Sequence, residues 1–151
     1  MKRPLLLVRQ KYSFSCTASV LQTAHHFLCG EVLSHENAIR LTNCRPDGAS
    51  LVKVARILQK LSGALWTPLQ SVCSVRRALD AGNLVIAADS LTYVDDHAVL
   101  LVGVTSCGLY VFDPATGRVH WRRDQWARDA SGEFIVLKRT RTTRPGRRAR
   151  I

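Results

Sequence analysis

The hydrophobic periodicity of the chain changes near its middle, and this change limits the possible folds more than any other feature. In the first half, apolar residues recur at the three- and four-residue spacing of amphipathic helices. This spacing predicts helices over 16–28, 34–43, 50–61 and 74–81. In the second half, segments rich in β-branched and aromatic residues predict strands, with a brief helix near 123–128. The predicted strands lie at 84–90, 97–104, 108–113, 133–138 and within 115–121. Helices followed by an antiparallel sheet are typical of an α+β fold.

Length and composition fit one globular domain. The 151 residues are 46% hydrophobic, which is enough for a core that needs no disulfides. The five cysteines are odd in number and none shows CxxC spacing, so we expect no disulfide framework, no metal site and no cofactor. Free thiols fit a reducing compartment. Because the chain has neither a signal-peptide pattern nor an apolar run long enough to span a membrane, we expect a cytoplasmic protein.

The positive charge is concentrated at the C-terminus. The formal net charge is +11, and residues 138–151 hold seven cations and no anion. We therefore expect a folded domain over 1–138 and a basic, disordered, solvated tail over 139–151. A tail of this kind can also bind nucleic acid, acidic lipid or an acidic protein partner.

One cysteine stands where a catalytic thiol would be activated. Cys16 falls in the first turn of the first predicted helix, with Ser15 as its predicted N-cap. The free N–H groups and the dipole at that helix end favour the thiolate, which is the nucleophilic form. Gln10, six positions upstream, offers a carboxamide N–H that can join the backbone N–H of Cys16 in an oxyanion hole. His25 and His26 lie more than about 13 Å further along the same helix, so we expect core or surface roles for them.

The predicted sheet offers a base and a group to orient it. His97 opens one strand and Asp113 ends the next, sixteen positions later, with a turn near the middle. In an antiparallel hairpin the start of one strand lies beside the end of the other, so we expect the two side chains to be neighbours. Asp113 would accept a hydrogen bond from the imidazole and set its tautomer, while the second ring nitrogen faces Cys16.

Three segments together resemble the bacteriocin-processing cysteine peptidases, peptidase family C thirty-nine. They are QKYSFSC at 10–16, DHAVLLVGV at 96–104 and GLYVFDPATG at 108–117. Their order and spacing extend the resemblance over roughly residues 8–138. The resemblance implies a papain-like fold, in which an N-terminal helical lobe packs on a C-terminal antiparallel sheet and the site lies between them.

The resemblance also assigns roles to four side chains. It makes Cys16 the nucleophile, His97 the general base and acid, Asp113 the orienting group and Gln10 the oxyanion donor. Members of the family cut leader peptides after a double glycine, usually at the front of peptide-exporting ABC transporters. The implied function is hydrolysis of a peptide bond, by a freestanding leader peptidase with a separate exporter as partner or by a delivered effector. Amidase, deamidase and acyl-transfer chemistry remain open, and the alternative is an inactive module that binds a peptide or export partner.

The chain departs from the family pattern at two places. Members commonly have glycine after the cysteine, where this chain has Thr17. A branched side chain there would narrow the site or alter the approach of the substrate. Members often have glycine before the histidine, where this chain has Asp95 and Asp96. Their carboxylates would raise the pKa of His97 or contact a basic substrate.

Overall fold

The computed structural model describes residues 4–44, 50–91, 97–130 and 133–140. The expectations for Asp95 and Asp96 lie outside these residues, as does the expected disorder of the tail from residue 141 onward. Among the described residues, no helix is both long enough and apolar enough to cross a membrane.

Four helices fill the first half of the chain and one short helix lies in the second. Ser34, Ser50 and Ser71 each accept a hydrogen bond from a backbone N–H in the first turn of a helix. Gly30 and Gly63 end two helices in the left-handed conformation, which glycine adopts without steric strain. The helices are α1 (Cys16–Cys29), α2 (His35–Thr42), α3 (Leu51–Ser62), α4 (Val72–Asp80) and α5 (Asp124–Ala130).

The strands of the described residues form one antiparallel sheet, and all of them except the first lie in the second half of the chain. Its strands are β1 (Leu65–Leu69), β2 (Leu84–Asp89), β3 (His97–Val104), β4 (Gly108–Asp113), β5 (Arg118–Arg123) and β6 (Phe134–Lys138). The strand order is β1-β6-β2-β3-β4-β5, and every neighbouring pair is antiparallel. The strands from β2 to β5 are therefore consecutive neighbours, whereas β6 inserts between β1 and β2.

Helices cover both faces of the central strands. On one face, Ile86 and Leu100 pack in a core with Leu21 and other residues of α1, α2 and α3. On the other face, Val85 and Leu101 belong to a second core that includes residues of α4 and α5. Because both faces are buried, β2 and β3 are almost continuously apolar instead of alternating between apolar and polar residues.

The predicted α+β architecture is confirmed, with three local corrections. The fourth helix begins at Val72, two residues before the predicted start, because Ser71 provides its cap. The strand β1 was not predicted, since it contains Pro68, which a sheet tolerates at its edge. Ser15 occupies the N-cap position of α1, but its side chain makes no capping hydrogen bond.

Candidate active site

Cys16 is the first residue of α1 and is buried. Burial alone raises the pKa of a thiol, because it disfavours the charged thiolate. A hydrogen bond with His97 and backbone N–H groups of Ala98 and Thr17 act in the opposite direction and prevail. The pKa of Cys16 therefore lies below its ordinary value of 9.0. The Thr17 N–H is one of the free N–H groups of the first helical turn, as the position of Cys16 predicts.

Strand register brings His97 and Asp113 together. Leu100 lies opposite Phe112 in the β3–β4 pair, so His97 and Asp113 become diagonal neighbours on one face of the sheet. Nε2 of His97 lies 2.7 Å from Oδ1 of Asp113, and both residues are buried. The same carboxylate oxygen accepts the backbone N–H of Ala115 at 2.9 Å, which holds it in place. This is the neighbour relation that the hairpin geometry predicts.

The imidazole of His97 holds its proton strongly. Burial lowers the pKa of a histidine, but the hydrogen bonds with Asp113 and with Cys16 outweigh it and raise the pKa of His97 to about 9. The pKa of Cys16 moves down while that of His97 moves up, so the contact favours the proton on the ring and the negative charge on the sulfur. Because Asp113 engages Nε2, the nitrogen that can serve Cys16 is Nδ1. Such a pair can attack a carbonyl carbon and protonate a leaving group.

Gln10 lies near these residues on a segment without regular structure. Its backbone N–H donates to the carbonyl of Pro114 at 2.9 Å, which ties the segment to the turn that follows Asp113. Both hydrogen bonds of its side-chain amide go to nearby carbonyls, at 3.0 Å to Tyr12 and 3.3 Å to Ser13. Its Oε1 is buried and has no hydrogen-bond partner among the described residues. The carboxamide N–H groups therefore face the loop itself, and the oxyanion role of Gln10 stays a prediction.

A polar network that the sequence did not reveal supports the loop between Gln10 and Cys16. Oγ of Ser15 exchanges two hydrogen bonds of 3.0 Å with the backbone of Tyr12. His35 of α2 joins this network, with Nε2 3.2 Å from Ser15 Oγ and Nδ1 2.6 Å from Oε1 of Gln22. In the sequence, Ser15, Gln22 and His35 have the pattern of residues on solvated helix faces. Their hydrogen bonds to one another become visible only when α1 packs against α2.

Thr17 turns its side chain into the helical lobe. It is 2% exposed, and its Oγ1 lies 2.7 Å from Sγ of Cys44. Thr42 also donates a hydrogen bond to that sulfur at 3.1 Å. The branched side chain therefore fills interior space between α1 and α2, so it does not narrow the site or alter the approach of the substrate, contrary to what its position after Cys16 predicts.

The described residues contain one group with metal-ligand spacing, which lies elsewhere. It consists of His25, Cys29 and Glu31 at the C-terminal end of α1. The odd cysteine count and the lack of CxxC spacing predict no metal site, and the position of His25 within the first helix predicts a core or surface role. His25 is buried, and its partners come from the same helix and from the residue just after its C-cap.

The helical lobe carries a cysteine at the start of its first helix, and the antiparallel sheet carries a histidine and an aspartate. This arrangement is that of a papain-like fold. Solved structures with this fold include peptidase domains. One is a double glycine motif protease from an AMS/PCAT transporter in complex with the leader peptide, with a TM-score of 0.72 and 16% identity over 92% of this chain and 94% of that one. The resemblance inferred from the three sequence segments is thus confirmed at the level of the fold.

Two further solved structures share the fold. The peptidase domain of Streptococcus ComA, a bi-functional ABC transporter involved in a quorum sensing pathway, gives a TM-score of 0.71 at 18% identity, covering 89% of this chain and 98% of that chain. The Streptococcus mutans ComA peptidase domain with a small-molecule inhibitor gives 0.63 at 15% identity, covering 87% and 97%. No family model matches the chain, and no curated protein matches its sequence. At these identities the likeness establishes a shared fold, and the activity has to be argued from the site.

Proposed function

We propose that this protein is a cysteine peptidase that hydrolyses a peptide bond with Cys16, His97 and Asp113. The observation that carries the proposal is the buried contact between the Cys16 thiol and an imidazole whose Nε2 lies 2.7 Å from a carboxylate. A structural cysteine needs no such partners, and burial in apolar surroundings would raise its pKa instead of lowering it. The peptidase domains that share the fold support the same chemistry for this chain.

The proposed reaction begins with attack of the Cys16 thiolate on the carbonyl carbon of the scissile bond. The His97 imidazolium gives its proton to the leaving nitrogen, the C–N bond breaks, and an acyl-thioester remains on Cys16. Neutral His97 then takes a proton from water while the water oxygen attacks the thioester carbon. Breakdown of the second tetrahedral intermediate expels the thiolate, which releases the acid and restores the ion pair. Asp113 keeps the ring oriented through both steps.

The oxyanion is proposed to be held by the backbone N–H of Cys16 and the carboxamide of Gln10. Because both amide hydrogen bonds of Gln10 go to Tyr12 and Ser13, this role requires the side chain to turn toward Cys16 when substrate binds. The buried Oε1 has no hydrogen-bond partner among the described residues, and leaving a buried acceptor of this kind unpaired costs about 1–3 kcal/mol. That cost favours a second orientation. Loss of one oxyanion donor typically lowers kcat by about 100- to 1000-fold.

The substrate is proposed to be a peptide with small residues at the cleavage site, such as a double-glycine leader. Cys16 and His97 are 7% and 6% exposed, so a peptide backbone reaches them only where its own side chains are minimal. Glycine permits the closest backbone approach. The AMS/PCAT protease with this fold is described in complex with its leader peptide, which supports the same substrate class here.

A separate peptide exporter is the proposed partner. The proposal rests on the ComA peptidase domain, which belongs to a bi-functional ABC transporter. A reducing compartment such as the cytoplasm is the proposed location, because it keeps the nucleophile as a thiol.

The orientation of Gln10 favours one alternative, a module that binds a peptide without cutting it. If the Gln10 amide stays hydrogen-bonded to the carbonyls of Tyr12 and Ser13, it cannot stabilise a tetrahedral intermediate. Such a module would bind the peptide with and without Cys16. Cleavage therefore separates the two functions, whereas binding does not.

The test is hydrolysis of synthetic peptides that contain Gly-Gly, followed by mass spectrometry. We expect cleavage after the second glycine by the parent chain, loss of cleavage in Cys16→Ala, and unchanged cleavage in Cys73→Ala, since Cys73 is an exposed thiol on α4. Cleavage that survives Cys16→Ala would refute the catalytic assignment. Peptides that bind the parent chain and remain intact would support the binding module.

A further inference from the structure

A second group of reactive side chains lies at the opposite end of α1 from Cys16. His25 and Cys29 are four residues apart, so they project from the same side of the helix. The helix ends at Gly30, whose left-handed conformation turns the chain and brings Glu31 beside them. At the rise of an α-helix, Cys29 lies about 20 Å along the axis from Cys16. The group is therefore separate from the candidate active site.

The three donor atoms are close enough to share one ion. Sγ of Cys29 lies 3.4 Å from Nε2 of His25, which lies 3.9 Å from Oε2 of Glu31. All three atoms fall within 4.8 Å of one another. Tetrahedral zinc, with bonds of about 2.0–2.3 Å, separates its ligand atoms by about 3.4–3.6 Å. The His25–Cys29 pair is already close to this spacing, so a turn of the His25 ring and rotation of the exposed Glu31 side chain would bring the three atoms into place.

We propose that His25, Cys29 and Glu31 bind one divalent transition-metal ion, for which Zn²⁺ is the best fit, with water as the fourth ligand. Imidazole nitrogen and thiolate sulfur suit zinc, whereas Mg²⁺ and Ca²⁺ require sites built of oxygen. The thiolate and the carboxylate together balance the charge of the ion. The group also lies at the C-terminal end of a helix, where the helix dipole favours a cation.

Ion binding turns the ring of His25. Sγ of Cys29 is 3.5 Å from Nδ1 and 3.4 Å from Nε2, so in the described conformation the sulfur lies beside both nitrogens. A rotation about the Cβ–Cγ bond directs the Nε2 lone pair at an ion placed between Cys29 and Glu31. The thiol loses its proton to solvent as the Zn–S bond forms.

The ion would connect the last turn of α1 to the segment that leads into α2. One hydrogen bond already makes a similar connection, from the Gln22 amide to the carbonyl of Leu33 at 2.8 Å. A ligand that binds only the folded state stabilises that state by mass action. The expected role of the ion is thus to fasten the helical lobe, independently of any reaction at Cys16.

The experiment is a Co²⁺ titration of the full chain carrying Cys16→Ala, which removes the thiol of the active site as a competing ligand. We expect a near-ultraviolet absorption band from thiolate-to-cobalt charge transfer that saturates at one ion per chain and disappears when Zn²⁺ is added. Cys29→Ser should abolish the band, and Glu31→Gln should weaken binding at least about tenfold. Cys73→Ser, which removes an exposed thiol on α4, is the matched control and should leave the band unchanged.

A melting experiment tests the role of the ion. We expect Zn²⁺ to raise the Tm of the Cys16→Ala chain and, at the same Zn²⁺ concentration, to raise the Tm of Cys16→Ala/Glu31→Gln by less. The side chain of Glu31 is 57% exposed, so its replacement leaves the fold intact and the smaller shift reports the weaker binding of the ion. The proposal is overturned if no thiolate band forms, if the band survives Cys29→Ser, or if both chains show the same shift in Tm.

Discussion

Replacement of His97 by alanine should return the Cys16 thiol to its protonated form near neutral pH. In the parent chain, the hydrogen bonds with His97 and with the N–H groups of Ala98 and Thr17 lower the pKa of Cys16 against the effect of burial. Without the imidazole, burial is opposed only by the two N–H groups. The pKa of Cys16 should therefore rise, and the thiolate should form at higher pH.

The structure sets the scale of the effect. The rise in the pKa of His97 from 6.5 to about 9 corresponds to about 3 kcal/mol in favour of the charged ring, and it is shared between the contacts with Asp113 and Cys16. At pH 6, a thiol of pKa 9.0 is ionised in about one molecule in a thousand. The pKa of Cys16 lies below 9.0, so a larger fraction of Cys16 is ionised at pH 6. Each unit by which the pKa is lower raises that fraction about tenfold, and the lower basicity of the thiolate offsets roughly half of the gain on a logarithmic scale, so the intrinsic alkylation rate at pH 6 should rise about threefold per unit.

The assay is iodoacetamide alkylation across a range of pH, read for each cysteine by peptide mass spectrometry. In the parent chain, the alkylation rate of Cys16 should rise less steeply between about pH 6 and 8 than that of an ordinary thiol, with a second step near pH 9, where His97 loses its proton. In His97→Ala the rate at pH 6 should fall toward that of an ordinary thiol. Asp113→Asn should lie between the two, because it removes the main contact that raises the pKa of His97. Cys73, exposed in the same molecule, is the internal reference.

One result would refute the reasoning. If the alkylation of Cys16 rises with pH in parallel with that of Cys73, and if His97→Ala leaves it unchanged, then the two side chains do not form an ion pair. The lowered pKa and the proposed nucleophile would then fail together. A slow but pH-independent reaction would not contradict the pairing, since Cys16 is 7% exposed and burial slows access of the reagent at every pH.

Three predictions concern stability, each checked by urea denaturation. Phe112→Ala should lower the free energy of unfolding by about 3–5 kcal/mol, because the ring is fully buried; a loss below about 1 kcal/mol would contradict the packing described. Gly108→Ala should lower the free energy of unfolding by about 1–3 kcal/mol, since the added Cβ would lie 2.5 Å from a backbone oxygen of β5. Gly103→Ala, with its nearest contact at 3.2 Å from a side chain, should cost less, and the reverse order would refute the steric argument. Ser34→Ala should lower the free energy of unfolding by about 1 kcal/mol, because it removes the hydrogen bond that Ser34 Oγ accepts from the Asn37 N–H. An unchanged free energy of unfolding would show that this cap contributes nothing.

Much of the fold could be predicted because local patterns and tertiary packing agree in this chain. Ser34 and Ser50 stand before apolar residues at helical spacing, and both cap the predicted helices. The strand β1 could not be predicted, because Pro68 argues against a strand and only the edge position in the sheet accommodates it. Local propensity thus fails where the neighbouring element decides the structure.

The candidate site also combines features that could be predicted from the sequence with features that could not. His97 and Asp113 could be paired from the sequence, because hairpin register alone makes them neighbours. The contacts of His35 with Ser15 and Gln22 could not be predicted, since they depend on how α2 packs against α1. The interior position of Thr17 could not be predicted either, because its partner, Cys44, is distant in sequence and no periodic pattern links them.

The two halves of the proposed oxyanion hole therefore differ in how firmly they are held. Cys16 and its backbone N–H are held by the start of a helix. His97 is held by the register of β3, because a one-residue slip of that strand would turn its side chain to the opposite face of the sheet. Gln10 is held by one backbone hydrogen bond to Pro114, and its side chain donates to two carbonyls of its own loop. Its buried Oε1 has no partner within the part of the chain that the structure describes. In the proposed mechanism, the nucleophile and base are thus preorganised, whereas the proposed oxyanion donor has to exchange two hydrogen bonds before it can act. Binding of substrate has to supply the free energy for that exchange, so the orientation of Gln10 is the step at which a peptide that fits would be separated from one that does not.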